Sequence, residues 1–154
     1  MLTHCDFVFA GESARFQMPF VNLALVPEFG SSYTVPARSG YLRAAELILL
    51  GLPFNATRAA DLGLVTRVMA DEKLLETATQ TARDLAKKPP AALRACKRLM
   101  RSSTREQLER AAKFENEEFS ARVRSAEARE AFTAFVEKRK PNFDTVSEPK
   151  AQAA

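Results

Sequence analysis

The chain has 154 residues, 46% of them hydrophobic and 27% charged, with a formal net charge of +4 and a pI near 9.3. That size and balance fit one globular domain with its own core, and they exclude a collagen-like or low-complexity chain. No apolar run approaches a membrane span, no signal peptide precedes the first strand, and the composition reads as cytoplasmic. The basic residues are scattered among acidic ones along helices, with no Trp and two Tyr, so nucleic-acid binding is not expected. Cys5 and Cys96 are far apart and read as small core residues, not as a disulfide framework.

In chain order, Cys5 to Ala10 reads as a strand with Gly11-Glu-Ser as its turn, and Ala14 to Gln17 as a second short strand. Residues 19 to 30 read as loop. Ser31 or Ser32 is placed to cap a short helix that ends before Pro36. Gly40 to Leu50 is predicted to be a largely buried helix, because Leu42, Ala45, Leu47, Leu49 and Leu50 leave little polar face. Asn55 is a good N-cap for a helix over Ala56 to Leu62, and Gly63 is placed to end it. Leu64 to Met69 is a third strand. Asp71 is expected to cap a helix reaching Lys87, and Pro90 to sit in the first turn of the next, to Arg101. Ser103 with Glu106 reads as a capping box for a helix to Val123. Ser125 caps the last helix, which ends before Pro141, and the polar tail from Asp144 reads as disordered.

Few residues here carry chemistry. His4 is the only histidine, and beside Cys5 in a strand it would face the opposite way, so no Cys-His dyad and no metal site is expected. Ser31 and Ser32 lack a general base for a serine triad. Glu115-Asn-Glu-Glu118 reads as a solvated helix face. Lys138, Arg139 and Lys140 suit a helix C-terminus, where the dipole favours positive charge. The remaining candidate is Glu28, set between Val26, Phe29 and the apolar run Val21 to Leu25, with no obvious cationic partner. A carboxylate in apolar surroundings has its charged form disfavoured, the condition for acid/base work near neutral pH. Local pattern alone favours a solvated turn residue after Pro27. The wider context reverses that choice.

Four pieces supply the context: Cys5-Asp-Phe-Val-Phe-Ala-Gly-Glu-Ser-Ala-Arg-Phe16, continuing from Pro19 to Ser32; Ala44-Ala-Glu-Leu-Ile-Leu-Leu-Gly51; Asn55-Ala-Thr-Arg-Ala-Ala-Asp-Leu-Gly-Leu-Val-Thr-Arg-Val68; and Ala131-Phe-Thr-Ala-Phe-Val-Glu-Lys-Arg-Lys-Pro-Asn-Phe143. In this order, over residues 3 to 143, they resemble the crotonase superfamily of enoyl-CoA hydratases and isomerases. The resemblance implies an α/β fold, mostly α by residue count: the C-terminal part of a crotonase β-spiral (residues 1–70, with the Glu28 loop), a helical trimerisation region (71–143) and a tail (144–154). It implies an acyl-CoA thioester as partner, no separate cofactor, no metal, no membrane, and a homo-oligomer, trimer or hexamer.

The resemblance also bears on residues. Hydratases of the family use two glutamates, one in an N-terminal segment this sequence is expected to lack. The other follows a proline that here is Pro19, so the comparable residue is Phe20, which is no base. Isomerases of the peroxisomal Δ3-Δ2 type have an apolar residue there and a glutamate in a later Pro-Glu-Gly-x-Ser-Ser turn. Pro27-Glu28-Phe29-Gly30-Ser31-Ser32 is similar to that turn, with Phe where the family has the freer Gly. Glu28 is then the catalytic base, Phe20, Leu25 and Phe29 its dry surround, and Phe135 and Lys138 further substrate contacts, Lys138 toward CoA phosphates. The backbone donors of the family's oxyanion hole are expected upstream of Met1. The alternatives are a hydratase, or a truncated inactive product that only oligomerises.

Overall fold

A computed structural model describes residues 1–146. A small β portion is followed by a long helical one, in line with the sequence. Strand β1 (Phe9–Gly11) runs parallel to β4 (Arg67–Met69), with Ala10 opposite Val68. Strand β2 (Arg15–Phe16) is antiparallel to β3 (Phe54–Asn55), where the Phe16 and Phe54 rings stack with centroids 5.7 Å apart. Between them lie α1 (Ser31–Ser39), α2 (Tyr41–Leu50) and α3 (Ala56–Asp61). Then come α4 (Leu74–Ala86), α5 (Pro90–Ser102), α6 (Arg105–Arg122) and α7 (Ala126–Val136).

Local chemistry explains the ends that the sequence placed well. The Asn55 side chain accepts the Arg58 N–H at 2.8 Å, and Ser125 Oγ accepts the Ala128 N–H at 3.0 Å. Gly63, at φ 70°, closes α3 with its N–H on the Ala60 carbonyl while the Leu64 N–H reaches Ala59. Pro90 begins α5 as expected.

Other expectations are corrected. The first strand is Phe9–Gly11 rather than Cys5 to Ala10: ladder pairing with β4 starts only at Phe9, the Val8 N–H goes to Thr66 Oγ1, and Gly11, expected in the turn, pairs with Met69. Helix α1 runs through Pro36 to Ser39; Gly40 N–H bonds to the Pro36 carbonyl and ends it there. Neither Ser31 nor Ser32 caps that helix. Asp71 opens a 3₁₀ turn and spends its carboxylate on the Ser13 N–H at 3.3 Å, so α4 starts at Leu74. The capping box at Ser103 does not form: α6 begins at Arg105, and Thr104 Oγ1 bonds back to the Arg101 carbonyl. Of α2 only Ala44, Leu47 and Ile48 are buried, and Leu42 is 82% exposed. Cys5 and Cys96 are exposed rather than in the core. The tail expected to be disordered begins with a 3₁₀ turn, Phe143–Thr145; residues 147–154 lie outside the described residues.

One buried cluster joins Val8 and Ala10 to Val35, Ala44, Leu47, Ile48, Ala56, Ala59, Leu62, Leu64 and Val65. It lies entirely within residues 8–65. Helices α4 and α5 bury no residue fully, and α6 buries only Glu115. Helix α7 buries Ala128, Ala131 and Ala134 and packs against the 3₁₀ turn Val21–Leu23. No described helix is long and apolar enough to cross a membrane.

Helix α7 ends in a turn that uses Lys138 at φ 56°, with Lys138 N–H on Phe135 and Arg139 N–H on Ala134. Arg139 then folds back on Glu130 at 2.5 and 3.0 Å, and Asn142 N–H donates to the same carboxylate. These donors, Arg139 foremost, hold the Glu130 carboxyl near about 2, below its ordinary 4.5. A depressed carboxylate stabilises the fold above its unfolded value and loses that contribution as pH falls toward the folded one. The protection of the Arg139 and Asn142 amides, relative to their intrinsic exchange at each pH, should therefore fall between about pH 4.5 and 2. In Arg139→Ala the same amides should exchange quickly already at pH 5.

Candidate active site

The loop that carries Glu28 is tied down along its length. Gln17 Nε2 donates to the Gly51 carbonyl at 2.8 Å, at the end of α2, and Asn22 Nδ2 reaches the same oxygen at 3.5 Å. A side chain on Gly51 would collide with Asn22, its Cβ only 2.1 Å from Oδ1. Phe20 opens the 3₁₀ turn Val21–Leu23, Ala24 at φ 55° closes it, and the Leu25 N–H returns to the Phe20 carbonyl at 2.8 Å. Phe20, Leu25 and Glu28 are each half-buried on this one loop.

Glu28 is the first residue of a tight turn. Its carbonyl accepts the Ser31 N–H at 3.1 Å, and the two central residues, Phe29 and Gly30, have φ of 56° and 68°. Two successive positive φ values belong to the primed turns, which favour Gly, Asn and Asp. Phe29 thus occupies a left-handed position that strains an ordinary residue by about 1–2 kcal/mol. Two distant side chains hold it there. Glu115 Oε2 accepts the Gly30 N–H at 2.6 Å and Oε1 the Ser32 N–H at 2.7 Å. His4 Nε2 lies 2.6 Å from the Phe29 carbonyl.

Glu115 corrects the reading of a solvated acidic face: it is 5% exposed. Helix α6 packs on α1, and Glu115 caps the α1 N-terminus that no serine caps. A buried carboxylate is tolerated where N–H donors and a helix dipole meet it. The signal was in the spacing. Leu108, Ala111, Ala112 and Phe119 make one stripe of α6, and position 115 falls on that stripe. A carboxylate on an apolar stripe needs donors. His4 has no such signal, since its partner is 25 residues away in sequence.

The other residues that the resemblance singled out are exposed. Phe29 is 55% exposed. Phe135 is 76% exposed, off the buried alanine face of α7, and Lys138 is exposed beyond the helix end. Two open grooves indent the surface. One, about 430 Å³, is lined by Arg15, Pro53, Phe54, Asn55 and Arg58. The other, about 470 Å³, lies between the Leu2–Phe9 segment and α4. Glu28 lines neither. Among the described residues no group of three or more His, Cys, Asp or Glu is placed to hold a metal ion.

With this geometry in hand, a family profile described as enoyl-CoA hydratase/isomerase matches residues 1–146. The chain belongs to the enoyl-CoA hydratase/isomerase family. It is 37% identical over 138 residues to the Escherichia coli K12 1,2-epoxyphenylacetyl-CoA isomerase, covering 90% of this chain and 53% of that protein. It is 33% identical to the 2,3-dehydroadipyl-CoA hydratase of the same organism, covering 90% and 54%. The crystal structure of an enoyl-CoA hydratase/isomerase from Pseudoalteromonas atlantica superposes with a TM-score of 0.89 at 39% identity, covering 92% of this chain and 57% of that one. The chain thus has a crotonase-like, largely helical fold and spans about half the length of the relatives it matches. These matches carry the family. They do not carry its C-terminal end or the peroxisomal isomerase type, both expected from the sequence.

Gly30 offers a test of the turn within this enoyl-CoA hydratase/isomerase chain. A Cβ there would sit 2.3 Å from Leu108 Cδ1, at a φ that L side chains avoid. Gly30→Ala should destabilise the chain by about 1–3 kcal/mol, about 1–2 kcal/mol of it left-handed strain and the rest a shift of the flexible end of Leu108. A chemical-denaturation midpoint equal to wild type would contradict the geometry.

Proposed function

We propose that the family-length protein represented by this chain moves the double bond of a 3-enoyl-CoA into conjugation at the 2-position, with Glu28 as its single base. The observation that carries the proposal is a half-buried carboxylate on a loop fixed at both ends; the resemblance adds that Phe20, no base, is the residue to compare with the second glutamate of the hydratases.

The chemistry needs one group. The Glu28 carboxylate takes a proton from C2, and the C–H electron pair passes into a dienolate with its charge on the thioester oxygen. The same carboxyl returns the proton at C4, the thioester carbonyl re-forms, and the double bond lies between C2 and C3. Backbone donors to that oxygen contribute about 3 kcal/mol each to lowering the barrier. In this reading they come from the half of the family-length unit this chain does not span, so the 154-residue chain alone turns over no 3-enoyl-CoA. Phe20, Leu25 and Phe29 flank the acyl chain, and Phe135 and Lys138 meet the CoA portion once subunits assemble. Relatives named as hydratases support a second reading, in which the same loop serves water addition.

The exposed apolar faces support assembly. Leu42 and Leu49 of α2, Leu75 of α4, Leu99 and Met100 of α5, and Phe135 and Val136 of α7 are all exposed. Patches of that extent are unusual on a monomer. The proposed state is a trimer or a dimer of trimers.

Two measurements test these readings. In the family-length protein, Glu28→Gln should lower 3-enoyl-CoA isomerisation by about 10²-fold or more, and the wild type should hydrate 2-enoyl-CoA poorly. Brisk hydration, or an isomerase indifferent to the substitution, selects the other reading. Light scattering should find trimers or hexamers at micromolar concentration; a folded monomer would count against assembly through these faces.

A further inference from the structure

We infer that the Phe29–Gly30 peptide group orients Glu28 and that His4 and Glu115 are positioning residues which hold this one plane from opposite sides. The inference rests on the reading of Glu28 as the base.

The carbonyl and the N–H of a single peptide group are both taken, each by a side chain from elsewhere in the fold. The Phe29 oxygen lies 2.6 Å from His4 Nε2, and the Gly30 N–H lies 2.6 Å from Glu115 Oε2. A carbonyl only accepts, so His4 carries its hydrogen on Nε2 in this contact. Rotation of that plane is the soft motion of the turn. It changes only the ψ of Phe29 and the φ of Gly30, and glycine populates either sign of φ. Glu28 is the first residue of the turn that this plane completes: its carbonyl accepts the Ser31 N–H, between the Gly30 and Ser32 N–H groups that Glu115 holds, so a freed plane loosens the corner from which the Glu28 side chain leaves.

The two clamps have independent supports. Glu115 is fixed because it spans Gly30 and Ser32 and is buried beneath α1. His4 is fixed because the carbonyls around it are held: Arg38 of α1 donates to the Thr3 carbonyl and Arg101 of α5 to the His4 carbonyl, each at 2.5 Å. Arg101 and Lys97 also pair with Asp6 in the same segment. Neither His4 nor Glu115 has a proton to exchange in the proposed reaction. Their contribution is to keep the carboxylate of Glu28 pointing one way through both proton transfers.

The experiment has two arms. In the 154-residue chain, amide exchange followed by NMR should speed up at Gly30 or Ser32 by about tenfold or more in His4→Ala and in Glu115→Gln. The Ile48 and Leu62 amides of the core should keep their wild-type rates. In the family-length protein, His4→Ala should lower kcat for 3-enoyl-CoA by about tenfold or more, the usual sensitivity to a misplaced reacting group, with KM within about threefold. His4→Gln, which keeps a donor near the Phe29 oxygen, should restore kcat to within about threefold of wild type. Glu115→Gln places an NH₂ group against one of the two N–H donors and should behave like His4→Ala. If Glu115→Gln does not fold, the half-buried His4 still decides the matter. Wild-type kcat in His4→Ala together with a dead Glu28→Gln overturns this inference and leaves the base assignment standing. Full turnover in Glu28→Gln overturns the base assignment, and the exchange arm then decides separately whether the plane is held.

Discussion

The buried carboxylate of Glu115 is the contact on which the arrangement depends. It joins the helical half of the chain to the N-terminus of α1 and, through Gly30, to the turn that carries Glu28. Charge-assisted hydrogen bonds to backbone N–H groups are roughly twice as strong as neutral ones. Here they also answer two donors that the start of a helix leaves open. Because Glu115 already occupies that helix end, the α1 N-terminus is not free to receive an anion. The helix serves as a rigid support for the loop before it.

Around that contact the chain divides its labour unevenly. The apolar core belongs to residues 8–65, where three short strands and the helices α1, α2 and α3 enclose small side chains such as Ala44, Ala56 and Ala59. The later helices contribute contacts rather than core. Helix α6 lies on α1, α7 lies on the Val21–Leu23 turn, and both bear on the loop between Pro19 and Gly30. A loop is positioned well when its two ends and its middle are held by different elements. Gln17 and Asn22 hold the start to α2, α7 packs on the middle, and Glu115 and His4 hold the end.

What could be read from the sequence was mostly local. Asn55, Gly63, Pro90 and Ser125 announce helix ends because each acts within four residues of itself. Where a rival partner lay far off in sequence, local reading went astray. Asp71 looked like a cap and instead serves Ser13; Ser31 looked like a cap and was displaced by a residue 84 positions later. The leucines of α2 were read as buried because their pattern is apolar all round, yet in one chain only one side of that helix finds a partner. A turn after Pro27 was legible from the Phe-Gly-Ser-Ser pattern, and Phe29 stood out there as the less free residue. The left-handed φ it imposes, and the two side chains that offset it, required the tertiary structure.

Helix α5 shows how differently two parts of one chain can be attached. It buries no residue, and its recorded ties to the opening segment run from Lys97 and Arg101 to Asp6 and to the His4 carbonyl. Each of these groups is about half exposed to solvent. Attraction between exposed charges fades as salt is added, with a screening length near 10 Å at 0.1 M and about 3 Å at 1 M. The apolar core responds in the opposite sense to salts excluded from protein surfaces. Ionic strength is therefore a way to ease α5 off the amino-terminal segment while the residues beneath stay packed, and the looseness it creates would begin at the His4 carbonyl itself.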